Sequence, residues 1–151
     1  MKDIFVILDN IRSALNVGAI FRTCEGLGVK KIFLTGITPY PPHKKLQKTA
    51  LGATEWVEWE YFKQNEDCIN KLQSLNIPII TAEITKNSVP FHKFKYPDKL
   101  GIVFGHEITG VSLSFLTNSL GTVHIPMQGQ KESLNVATSA GIIISHIIFC
   151  S

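Results

Sequence analysis

Cysteine is scarce in this chain of 151 residues, with three in all: Cys24, Cys68 and Cys150. Their odd number and wide spacing exclude a disulfide framework and match no metal-ligand pattern. A reduced, cytoplasmic protein is therefore expected. The histidines (His43, His92, His106, His124, His146) are scattered without zinc-like pairing, so no metal is expected. The chain has no G-x-x-x-x-G-K-[ST] run, no G-x-G-x-x-G and no G-x-S-x-G, which removes the common phosphate-loop, dinucleotide and nucleophile-elbow readings. No long apolar run occurs either. The most apolar stretch, residues 141–150, is too short for a bilayer and contains Ser145 and His146. The N-terminus lacks the pattern of a secretory leader. Neither a membrane nor export is expected.

What remains is the composition of an ordinary globular chain, long enough for one domain, 1–151, with a real core. Net charge is only +3, but it is unevenly spread. Residues 1–50 hold eight Lys/Arg against three Asp/Glu, while the remainder is slightly acidic. The excess lies at Arg12, Arg22, Lys30, Lys31, Lys44, Lys45 and Lys48, where it would attract a polyanion or simply be solvated.

Apolar runs at residues 4–8, 31–34, 79–82, 101–105 and 122–125 read as strands, and 56–61 as a shorter one. Helical spacing marks residues 17–27, ended by Gly28, then 67–75, 112–116 and 134–149. A long loop is expected over 36–52, and irregular chain over 83–99, where Pro90 and Pro97 act as breakers. Strands that are apolar throughout and alternate with helices predict an α/β fold, a mostly parallel sheet flanked by helices. Ligands in such sheets sit at the carboxyl ends of strands. The loops after Ala82, Phe104 and Ile125 are therefore the expected site. The last helix is apolar almost all round, which predicts either a central core helix or a subunit interface.

Three segments bear on chemistry. Asn16 precedes Val17, where it would cap the first helix, and Arg22 lies opposite that helix's apolar stripe, pointing outward. Gly105-His106-Glu107 follows a strand directly, where glycine lets a ligand approach the backbone. Ile125-Pro126-Met127-Gln128-Gly129 leads through a tight turn to Ser133-Leu134-Asn135, where Ser133 would cap the last helix.

Together, N-V-G-A-I-F-R, I-V-F-G-H-E-I-T-G-V-S and I-P-M-Q-G-Q-K-E-S-L-N-V-A resemble, in order, the three motifs of the SpoU (TrmH-type) RNA 2'-O-methyltransferases of the SPOUT superfamily. The resemblance runs from Ile4 to Ile148, and its third motif is the most specific. It implies an α/β domain with a C-terminal trefoil knot, S-adenosyl-L-methionine as cofactor, and a homodimer with the active site at its interface. It also implies an RNA substrate methylated on a ribose 2'-hydroxyl, most readily tRNA. Cofactor contact carries over to Ala82, Gly105, Ile125, Met127, Ser133 and Leu134. Arg22, Glu107 and Asn135 match catalytic positions, with Asn16 in support. A guanidinium is too basic to lose its proton near neutrality, so Arg22 is expected to orient ribose and phosphate. The sequence departs from the pattern at His106, where the family more often has Asn or Ser, and at Ile108-Thr109. The chain shows no separate RNA-recognition domain, so the lysines at 44, 45 and 48 are the expected grip on RNA. Three other readings remain: an rRNA enzyme of the same family, a catalytically silent RNA-binding relative, and an unrelated nucleotide-binding α/β protein.

Overall fold

The computed structural model describes residues Met1–Ser151. Its centre is a seven-stranded sheet built from β1 (Asp3–Asp9), β2 (Lys31–Thr35), β3 (Glu58–Phe62), β4 (Ile79–Ala82), β5 (Val89–Pro90), β6 (Lys99–Gly105) and β7 (Gly121–His124). The order across the sheet is β3-β2-β1-β6-β4-β7-β5, and every strand pairing is parallel. Helices α1 (Ala14–Leu27), α2 (Lys44–Ala50), α3 (Asn65–Ser74), α4 (Leu113–Thr117) and α5 (Val136–Cys150) cover it. β7 is inserted between β4 and β5, two strands that precede it in the chain.

Period-two alternation divides the strand side chains between two cores. Ile4, Val6 and Leu8 enter the larger cluster beneath α1, α2 and α5, with Val17, Ile20 and Phe21 of α1 and Ile143, Ile144 and Ile147 of α5. Ile7, Phe33 and Val103 face the other way, into a smaller cluster with Cys68, Ile69 and Leu72 of α3 and Phe115 of α4. This double burial is why the strands read as continuous apolar runs. All three cysteines are free, and burial pushes the Cys68 thiol up to about 12, aided by Glu60 and Asp9.

Several local expectations are corrected. Residues 36–52 are not one loop: α2 lies within them, anchored by buried Leu46 and Ala50. Prolines at 39, 41 and 42 and glycine at 52 had masked a helix of only two turns. Residues 83–99 include β5 at the sheet edge, where a strand proline leaves no ladder donor missing within the sheet. The cap of α1 is Ser13, whose Oγ accepts from the Asn16 N–H at 3.2 Å, so Asn16 is not the cap. The cap of α5 is Asn135, not Ser133; its Oδ1 accepts from Ala137 N (2.9 Å) and Thr138 N (3.2 Å). α5 is not a central core helix: only Ala140, Ile143, Ile144 and Ile147 are buried, and Phe149 is 73% exposed.

Candidate functional site

The carboxyl ends of β4, β6 and β7 open into a cavity of about 620 Å³, closed on its far side by the start of α5. Ala82, Gly105, Ile125, Met127, Ser133 and Leu134 all line it. The three loops expected at this edge are therefore the ones that meet. Sequence reasoning missed Glu83 and His124, which also face the cavity. Both sit at strand ends, and position was the only available signal. His124 Nδ1 is buried and has no partner within the protein.

The loop after β6 has a specific construction. Gly105 leaves no room for a Cβ, which would strike the backbone of Gly110 and Val111. Gly110 has a φ of 77°, and a Cβ there would run into the Glu83 carboxylate. That carboxylate accepts from Val111 N at 2.9 Å and from Ile84 N at 3.0 Å, tying the β4 and β6 loops together. His106 and Gly110 pair across the turn, and His106 Nδ1 accepts from Ile108 N (3.0 Å) and Thr109 N (3.2 Å). The imidazole thus does what an Asn or Ser oxygen would do at this position. From behind, buried Asp9 accepts from Ser112 N (2.6 Å), Ser112 Oγ (2.8 Å) and Asn65 Nδ2 (3.2 Å).

Three of the four expected catalytic residues meet at the cavity rim. Glu107 Oε1 accepts from Arg12 N at 2.9 Å, and Oε2 from Ser13 N at 3.0 Å and Asn16 Nδ2 at 3.1 Å. Asn135 Nδ2 donates to Asn16 Oδ1 at 3.1 Å. The network fixes both amides. Because Asn135 Oδ1 caps α5, its Nδ2 must face Asn16, and Asn16 must then offer its own Nδ2 to Glu107. Burial opposes the charge on Glu107, but the N–H groups of Arg12 and Ser13, its own N–H and the Asn16 amide outweigh it and hold the carboxyl below its ordinary range. Glu107 is therefore held in its charged form and is a firm anchor for Asn16.

Arg22 is not in this cluster. It is exposed on α1, six residues after Asn16 and thus roughly 9 Å further along the axis, on another face. It makes no hydrogen bond or ion pair and lines neither cavity.

A second cleft, of about 790 Å³, shares His106, Glu107 and Ile108 with the first. Arg12, His43, Lys44 and Lys45 stand on its other walls; Lys48 does not reach it.

A parallel sheet with a ligand-sized cavity at its strand ends and a basic cleft alongside defines an α/β protein of the small-molecule-binding kind. More narrowly, the chain belongs to the SpoU rRNA methylase family, whose model matches residues 3–145. It is 30% identical over 147 residues to the tRNA (guanosine(18)-2'-O)-methyltransferase of Aquifex aeolicus, covering 95% of this chain and 67% of that protein. The crystal structure of an A. aeolicus TrmH/SpoU tRNA modifying enzyme superposes with a TM-score of 0.84 at 28% identity, covering 96% of this chain and 73% of the other. An AdoMet-bound rRNA methyltransferase from Sinorhizobium meliloti shares the fold, with a TM-score of 0.89 at 24% identity over 99% of this chain and 57% of that one. The chain thus spans only part of the length of these three proteins.

Proposed function

We propose that this protein transfers a methyl group from S-adenosyl-L-methionine to a ribose 2'-hydroxyl of RNA. The observation that carries this reading is the Glu107–Asn16–Asn135 chain of hydrogen bonds, set between a cofactor-sized cavity and a basic cleft. Family membership and the similarity to a tRNA 2'-O-methyltransferase support it and favour tRNA; the family's own description keeps rRNA as the second reading. An unrelated nucleotide-binding protein is overturned by the family match.

The cavity falls within the ~300–1,000 Å³ range of small-molecule sites. Ala82, Gly105, Ile125, Met127, Ser133 and Leu134 would hold the cofactor there, largely through backbone, with buried His124 Nδ1 as a further unpartnered polar atom. When bound, the cofactor supplies an electrophilic sulfonium methyl and leaves as a neutral thioether, so no charge needs a metal to neutralise it. The residues of this chain supply orientation. Asn16 and Asn135 each keep one amide N–H free to fix a ribose oxygen, and Glu107 holds Asn16 in place. The hydroxyl proton passes to phosphate or water, since both Glu107 oxygens are already engaged by Arg12, Ser13 and Asn16.

Arg22 belongs to the same reading as the group that positions ribose and phosphate. Its separation from the cluster within one chain supports a homodimer in which a second copy completes the site. The half-exposed apolar side of α5, with Ile142 and Ile148 and the exposed Phe149, supports such an interface. The insertion of β7 between β4 and β5 supports the trefoil knot. A single catalytic domain over residues 1–151 and a cytoplasmic setting complete the proposal; no helix is long and apolar enough to cross a membrane.

The test is incubation with methyl-labelled S-adenosylmethionine and separate pools of unmodified tRNA and rRNA, followed by nucleoside analysis, with Arg22→Ala alongside. Label in a 2'-O-methylated nucleoside, lost in the variant, is the expected result. No label in either pool with cofactor binding intact points to another RNA or a missing partner, and with cofactor binding absent counts for the silent RNA-binding reading.

A further inference from the structure

Tyr40 lies between Pro39 and His43, which both line the basic cleft. The residue is 44% exposed, a high value for an aromatic on an ordered segment. One side is not free: its centroid stands 4.3 Å from that of Tyr61 and 5.9 Å from that of Trp59. Tyr61 is fixed in turn, its hydroxyl donating to the Gly36 carbonyl at 2.6 Å, and both β3 aromatics pack on the main core. Tyr40 is thus an aromatic braced by β3 and partly open to solvent, at the margin of the cleft and not on its wall. Nothing in the packing of the chain requires that open area.

The cleft beside it is cationic. Arg12, Lys44 and Lys45 form no ion pair with any carboxylate, whereas Lys2, Lys30 and Lys31 do. The one acid on its walls, Glu107, already receives three N–H donors. Free cations attract phosphates, and an open aromatic accepts a base; the two together are the recognition chemistry of single-stranded nucleic acid. Bases in a duplex are stacked on one another and cannot reach such an aromatic.

Resting on the reading of an RNA substrate, we propose that Tyr40 stacks an unpaired nucleobase of a single-stranded RNA segment whose phosphates lie along Arg12, Lys44 and Lys45. The cleft and the cofactor cavity share His106, Glu107 and Ile108, so this segment contains or adjoins the acceptor nucleotide. Tyr40 is a positioning residue: it touches a base, not the reacting atoms.

The test is fluorescence anisotropy with labelled single-stranded oligoadenylate and an equally long strand of abasic units, at fixed salt. Oligoadenylate is expected to bind wild-type protein about five-fold or more tightly than the abasic strand, the effect of stacking one base. Tyr40→Ala removes that difference and leaves abasic affinity unchanged, while Tyr40→Phe keeps it. Trp56→Ala, which removes an aromatic 81% exposed on a segment that contributes no wall to either cavity, changes neither. Lys44→Ala with Lys45→Ala weakens both strands and flattens the salt dependence. Equal loss on both strands in Tyr40→Ala, no loss, or equal binding of duplex overturns the proposal. Tighter competition by polyglutamate than by oligoadenylate also overturns it, in favour of an acidic protein partner. The methyl-transfer assay separates the two readings. Base-dependent binding without transfer to any RNA counts only against the enzyme, and transfer without base-dependent binding only against Tyr40.

Discussion

Asn16 Nδ2 donates to Glu107 Oε2 at 3.1 Å across 91 positions of sequence, joining the first turns of α1 to the loop after β6. The bond matters because Asn16 is also the acceptor for Asn135, at the head of α5. Three elements distant in the chain thereby share one amide. Removing the carboxylate charge should free that amide to rotate. Glu107→Gln is expected to lower methyl transfer at least about ten-fold, with cofactor affinity changed much less, because orientation is lost and not binding. Steady-state rates together with calorimetric titration of S-adenosylmethionine decide it, and equal losses in both would contradict the assigned role.

The same carboxylate makes a pH prediction. Its folded-state value lies below the ordinary 4.5, so its stabilising contribution is fully present above about 4.5 and is lost as pH falls through the lower folded-state value. Wild-type protein should therefore lose stability more steeply than Glu107→Gln in acid below 4.5, and in parallel with it near neutrality. Urea unfolding across that range tests the sign.

Gly110→Ala should impair the cofactor cavity. The φ of 77° disfavours any side chain, and the new methyl would displace the Glu83 carboxylate that ties two cavity loops together. The conformational cost is about 1 kcal/mol before the loss of those bonds. The expected outcome is weaker S-adenosylmethionine binding by about five-fold or more, with the protein still folded. Unchanged affinity would remove Glu83 and Gly110 from the account of the cavity.

Asp9→Ala tests the support behind the loop. It strands the N–H and hydroxyl of Ser112 and the amide of Asn65 beside a buried strand end. Unsatisfied donors of this kind cost about 1–3 kcal/mol each, so an overall loss of about 3 kcal/mol is expected in urea unfolding. A loss under about 1 kcal/mol would show that water replaces the carboxylate.

Arg22→Lys addresses geometry against charge. A lysine keeps the charge but not the planar fork that the role proposed for Arg22 requires. Turnover reduced at least about ten-fold is expected, without a change in fold by circular dichroism; near-wild-type turnover would rule out a bidentate role.

The sequence by itself determined the sheet and which strand-end loops line the cavity. Apolar runs buried on both faces can only be central parallel strands, and ligand-binding loops at strand ends follow from that geometry. The same reasoning placed the loops after Ala82, Phe104 and Ile125 at the cavity, whereas Gly105, Ile125 and Met127 were singled out by the family resemblance. Residues not adjacent to a strand end were invisible or misjudged. α2 was hidden by flanking prolines, since its two turns are held by the burial of Leu46 and Ala50 and not by propensity. Asn16 reads locally as a helix cap; only the approach of Glu107 and Asn135 gives its side chain another partner. Tyr40 gave no signal at all, because an open aromatic becomes distinct only when Tyr61 lies beneath it and a basic cleft beside it. Period and composition fix which face of an element is buried. Which polar groups meet across that burial depends on contacts many residues apart, and those the folded chain alone decides.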